Sequence, residues 1–322
     1  MGRLGARSPC VPPEAALFRK LSTCLAAAAT VLAATGTHAK AATPQRQCFA
    51  YTAAGSPKSM IAHAQALQSS PCAGISWTFP WSEIEPANGT FNWSFIDDAL
   101  AASGSKPVIL RVIPGLTSPS WVPRADGIVI PNPKGGSGWM PIPWNADFLS
   151  IWKTFINAYG ARYNANPHIA LIEGNGDGPQ GEAHLTGTYS QWQAVGYSES
   201  TYVGAIATEI ADFKAAFPSH KVSFAGATPP TGAPSTPNLL QGFIGACEQA
   251  AIVIQNNGLS GSKYGHINQN VIEFGYQTAS SLGTGLGAAL NLATTLGASF
   301  VEVYYVDATN SANYSAISSF QA

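Results

Sequence analysis

Charge is what this chain has least of. Lys, Arg, Asp and Glu make up 10% of its 322 residues, and the formal net charge is −1, against roughly 25% charged residues in an ordinary soluble domain. With no basic face to hold phosphates, neither nucleic acid nor an anionic membrane is expected as a partner. Cysteine is also scarce, at five residues, and no pair of His or Cys has ligand spacing, so no metal centre is expected. The sequence has no G-x-S-x-G elbow, no Walker loop and no H-E-x-x-H, and no cofactor motif. Outside the N-terminus no apolar run reaches the roughly 18 residues of a membrane span.

The N-terminus has its own pattern. Arg3, Arg7, Arg19 and Lys20 precede the apolar, Ala-rich stretch from Leu21 to Ala34, and Ala39-Lys40-Ala41 offers a small-x-small cleavage site. Residues 1–41 therefore read as a secretory signal peptide, and 42–322 as one domain, because no linker, repeat or charge block divides them. The mature chain is expected to be secreted and monomeric. Removal of the leader leaves Cys48, Cys72 and Cys247. Cys48 opens the first strand and Cys72 the second, so a Cys48–Cys72 disulfide is expected, with Cys247 buried and free.

Strand and helix signals alternate through the rest. Short apolar, β-branched runs lie at Cys48 to Thr52, Ala73 to Phe79, Pro107 to Ile113, Ile169 to Glu173, Lys221 to Gly226, Ile252 to Gln255, Asn270 to Phe274 and Phe300 to Val306. Amphipathic stretches separate them; one, from Asp147 to Tyr163, puts Phe148, Trp152, Phe155 and Tyr159 on a single face. A Pro- and Gly-rich segment holding Trp121, Trp139 and Trp144 reads as a long loop. Eight such units predict an α/β fold of the (β/α)8 barrel type. A doubly wound open sheet is the alternative, but Thr52-Ala53-Ala54-Gly55-Ser56 is a poor phosphate loop.

In such a barrel the site is built at the C-terminal strand ends. The polar groups expected there are carboxylates, amides and aromatics, with Arg111 alone in an apolar run, where it needs a carboxylate partner. Two carboxylates with aromatic platforms suit glycosidic bond cleavage, one protonating the leaving oxygen and the other attacking carbon or activating water. The substrate expected is a poly- or oligosaccharide. The candidate binding set is Trp81, Arg111, Trp121, Glu173, Asn175, Asn257, Tyr276, Glu302 and Tyr304. Trp77 and Trp152 read as core.

The block W-S-E-I-E-P-A-N-G-T-F-N-W-S-F-I-D-D-A-L, followed by K-P-V-I-L-R-V, resembles the second and third barrel units of clan A glycoside hydrolases, especially β-galactosidase-like members. That resemblance implies a retaining mechanism, with an acid/base Glu after strand four and a nucleophile Glu at the end of strand seven. Carried over, Glu273 in Val271-Ile272-Glu273-Phe274-Gly275 becomes the nucleophile, with Arg111 as its ion-pair partner. The fourth unit departs from the pattern, since the usual Asn-Glu pair is missing. Glu173, on the strand end, and Glu182, in Gly181-Glu182-Ala183-His184, both remain candidates for the acid/base; Glu182 is preferred. The departure leaves a rival class open, a non-catalytic barrel that binds polysaccharide on the same surface.

Overall fold

The computed structural model describes residues 45–53, 57–174, 178–179, 181–234, 238–260, 273–278 and 280–322. The signal-peptide segment, 1–41, and Asn175 lie outside them. The strands are β1 (Gln47–Ala53), β2 (Gly74–Pro80), β3 (Val108–Ile113), β4 (Gly127–Pro131), β5 (Ser137–Pro141), β6 (Ile169–Gly174), β7 (Lys221–Ala225), β8 (Val253–Leu259), β9 (Phe274–Thr278) and β10 (Phe300–Tyr304). Eight of these close a parallel barrel in the order β1-β10-β9-β8-β7-β6-β3-β2. The main helices are α1 (Pro57–Leu67), α2 (Trp81–Ile84), α3 (Ser94–Ala102), α4 (Ala146–Tyr163), α5 (Tyr189–Gln193), α6 (Glu199–Ala216), α7 (Asn238–Ala250), α8 (Leu286–Leu296), α9 (Tyr305–Ala308) and α10 (Tyr314–Gln321). This is the (β/α)8 barrel expected.

Alternation along the strands explains both their apolar character and the site above them. Cys48, Ala50, Ile75, Trp77, Phe79, Leu110 and Ile172 point outward into a core shared with the helices. Phe49, Ile109, Leu171, Val253 and Phe300 form a separate apolar cluster, which by strand parity fills the lower barrel. The Phe49 and Phe300 rings meet edge to face at 6.3 Å. They fit because Gly74 and Gly275 lie beside them, where a Cβ would run into the two rings. One step higher, the inward positions turn polar: Ser76, Thr78, Arg111, Glu173, Ser223, Gln255, Gln277 and Glu302, all buried.

Helix α4 follows its predicted stripe. Asn145 caps it by accepting from the Phe148 amide, and Phe148, Trp152, Phe155 and Tyr159 are buried. Two expectations need correction. The segment read as one long loop contains the antiparallel hairpin β4–β5, with Val129 opposite Trp139. Strand β9 begins at Phe274, the last residue of the expected strand, and pairs through Phe274 with Ile254 and through Gly275 with Phe300. Asn270, Val271 and Ile272 lie outside the described residues.

Cys48 and Cys72 are neighbours, as their strand positions required, but both are free buried thiols with Sγ atoms 2.8 Å apart. The bonded length is about 2.05 Å, so the expected disulfide is not formed. Cys247 is free and buried, and burial pushes its thiol up to about 12. Among the described residues no helix is long and apolar enough to cross a membrane.

Candidate active site

The polar layer of the barrel converges on Arg111. Its guanidinium pairs with Glu173 and, at 3.0 Å, with Glu302, and it donates to Thr78 Oγ1 at 3.2 Å. The guanidinium also lies over the Tyr51 ring, 5.6 Å from its centroid. Glu302 accepts from Ser76 Oγ on one oxygen, and from Arg111, Gln255 Nε2 (2.6 Å) and Gln277 Nε2 (2.9 Å) on the other. Both of its oxygens are thus occupied. Glu173 differs: Oε2 holds Arg111, while Oε1 is buried with no hydrogen-bond partner among the described residues. Strand parity produces this hub, because Arg111 and Glu173 are register partners on β3 and β6.

Above the hub opens a cavity of about 390 Å³ lined by Tyr51, Thr78, Arg111, Asn132, Lys134, Glu182, Gln277 and Tyr304, among others. The Tyr51 and Tyr304 rings meet at 5.3 Å. Burial raises the Tyr304 phenol, helped by the charges of Glu182 and Glu302 and opposed by Arg111. Burial likewise raises Tyr51, against the pull of Arg111. Both phenols therefore keep their protons and can donate to hydroxyl groups.

Glu182 is the one carboxylate among the described residues lining this cavity. It sits on a loop, yet the loop is tied down. Ala183 donates to Ala225 O and accepts from the Thr228 amide at 2.7 Å, and His184 bridges to Thr228, so the chain after β6 pairs with the continuation of β7. Glycine makes this path possible: a Cβ on Gly178 would strike the carbonyls of Glu182 and His184, and Gly181 has φ of 82°.

The predicted residues separate into two groups. Arg111, Glu182 and Tyr304 line the mouth cavity, Glu173 and Glu302 lie buried beneath it on Arg111, and Asn257 lines a neighbouring cavity with Glu182. Glu273 does not join them. It immediately precedes β9, is exposed, and pairs at 2.6 Å with Lys221, the first residue of β7. Both belong to the N-terminal rim, a strand length or about 15 Å from the mouth, so the nucleophile assignment of Glu273 is corrected. Arg111 pairs with Glu173 and Glu302 instead. Trp81 is no sugar platform: it is fully buried, donates to Glu85 Oε2 and packs on Trp152 at 4.8 Å. Trp121 leans on Trp81 and donates to the Glu85 carbonyl, away from the cavity. Tyr276 is buried in the outer core, one residue out of phase with the inward-facing Gln277.

Tyr51, Thr78 and Lys134 were missed. The first two carry a readable signal, each being the polar residue two places above an inward one on its strand. Among the described residues no group of His, Cys, Asp and Glu could hold a metal ion.

No protein family model matches the sequence, and no curated protein matches it. Solved structures do. The catalytic domain of β-amylase from Paenibacillus polymyxa superposes with a TM-score of 0.64 at 12% identity, over 87% of this chain and 98% of that one. A β-galactosidase from the haloarchaeon Halorubrum lacusprofundi gives 0.57 at 11% identity, over 85% of this chain and 57% of that one. The exo-β-1,4-mannosidase Op5Man5 from Opitutaceae bacterium strain TAV5 gives 0.50 at 10% identity, over 80% and 51%. This chain thus spans little more than half of the latter two. At these identities the likeness shows the barrel fold.

Proposed function

We propose that the barrel mouth is a saccharide site and that the chain is a glycoside hydrolase with Glu182 as its acid/base. One observation carries the reading. Glu182 reaches a mouth cavity it shares with two protonated phenols, Gln277 and Arg111, and Arg111 connects that cavity to a buried carboxylate, Glu173, one oxygen of which has no partner among the described residues. In this mechanism Glu182 protonates the departing glycosidic oxygen. Glu173, held by Arg111 through Oε2, is the second carboxylate this mechanism needs, and its Oε1, buried beneath the cavity floor, meets the anomeric carbon or a water only when the layer above it opens. Glu302 is unsuited to that task because four donors already occupy it. The glycosidase names of the fold neighbours support the substrate class.

The test is release of reducing ends from glucan, galactan and mannan oligosaccharides. Glu182→Gln should lower the rate by roughly 10²–10⁴ while leaving binding intact. Turnover unchanged by Glu182→Gln would sink the assignment. The second reading, a binding protein without turnover, is favoured by Gln277. It holds the inward position near the C-terminal end of β9, where the clan A resemblance places a nucleophile Glu. Saccharide binding with no reducing ends from the wild-type chain would establish that reading instead. Export through residues 1–41 belongs to the same proposal: a secreted chain of mass starting near Ala42 supports it, and secreted protein that keeps the leader refutes cleavage there.

A further inference from the structure

Glu182 borders more than one space. Besides the cavity over β1, β2, β3 and the ends of β9 and β10, it lines a second of about 390 Å³ above the ends of β7 and β8, with His184, Thr228, Asn256 and Asn257. A third, of about 260 Å³, lies under the β4–β5 hairpin side. It shares Asn132, Pro179 and Glu182 with the first and Glu182 and His184 with the second. In the closed strand order β7 and β8 stand across the axis from β1 and β2. Open space therefore continues on both sides of the acid.

The two sides differ in chemistry. The first offers phenols and cations; the second offers amides. Asn257 Oδ1 accepts from Gln255 Nε2 at 2.9 Å, and the same nitrogen donates to Glu302. That orients the Asn257 side chain and leaves its buried Nδ2 without a partner among the described residues. A buried donor left unmatched is costly unless a ligand meets it. A pocket that accepts only chain ends would close on one side of the acid, and among the described residues nothing closes either side.

We infer that the mouth is a cleft with Glu182 between two saccharide subsites, so that the chain acts on internal bonds of a linear polysaccharide rather than at its ends. This rests on the saccharide reading above and deepens it.

The experiment is calorimetric titration of the Glu182→Gln chain, with and without Asn257→Ala, using malto-, cello-, manno- and β-galacto-oligosaccharides from disaccharide to hexasaccharide. In the series that binds, affinity should climb beyond the disaccharide. Asn257→Ala should weaken hexasaccharide binding about tenfold, with the loss growing with length. The wild-type chain on the matching polymer should release mid-length fragments first. Affinity level from the disaccharide onward, no length-dependent effect of Asn257→Ala, or a steady stream of monosaccharide would overturn the cleft and leave the saccharide site standing. Binding to none of the series would overturn the saccharide reading, and the cleft with it.

Discussion

Replacing Arg111 with methionine keeps most of the buried stem and removes the cation between two buried carboxylates. The Arg111 side chain is 5% exposed, and those of Glu173 and Glu302 are 0% exposed. Breaking a buried pair by deleting one partner costs about 3–5 kcal/mol, because the other charge is left uncompensated. At about 2.1 cal/mol/K per residue, the Pro44–Ala322 unit has an unfolding entropy near 0.6 kcal/mol/K. The melting temperature should therefore fall by roughly 5–8 °C at neutral pH. Thermal melts followed by circular dichroism at neutral pH are the assay. Adding Glu173→Gln and Glu302→Gln should restore part of the loss, since neutral groups need no counterion. A drop of only about 1 °C, or no recovery on adding the two Gln substitutions, would refute the hub as an energetic unit.

Two further outcomes follow from placement and burial. Glu273→Gln should change kcat/KM by less than about twofold and the melting temperature by no more than about 2 °C, because an exposed ion pair is worth about 1 kcal/mol at most; a loss of activity comparable to that of Glu182→Gln would return Glu273 to the site. His63 hydrogen-bonds Thr52 Oγ1 through Nδ1 at 2.8 Å and stacks on Tyr305, and burial lowers its imidazole below the ordinary value. The unfolded chain protonates first, so stability present above about pH 6.5 is lost as the pH falls toward the lower folded value. Denaturant titrations in that window should show a slope that His63→Gln flattens; an identical slope in the variant would count against it.

The barrel was legible because burial on both faces leaves its strands as apolar, β-branched runs, and eight such runs survived reading in order. Register was harder. Around β9 the β-branched pair Val271-Ile272 attracted the strand assignment, while the real strand is Phe-Gly-Tyr-Gln-Thr, with a glycine where β-propensity is poor. That glycine is there because the Phe300 ring occupies the space of a side chain, a contact between strands that no local pattern reports. The four-residue displacement moved Glu273 from one rim to the other and left Tyr276 to be read as a loop residue past the strand end, when it is an outward-facing position inside the strand. Arg111 was found for a physical reason, since an ion in an apolar run must have a partner, but which carboxylates would face it depended on closure of the sheet. Trp81 failed for a different cause: loop aromatics look alike in sequence whether they face a ligand or fold under a helix, and α2 tucks this one against Trp152. Glu182 was legible through its glycines, because Gly178 and Gly181 let the chain bend back across the mouth.

The two phenylalanines that close the lower barrel make it a blind well rather than a tunnel. A polymer cannot thread such a well or ratchet along it from one opening to another. A saccharide bound as proposed would therefore enter and leave by the mouth alone, with the Phe49–Phe300 floor as its lower limit.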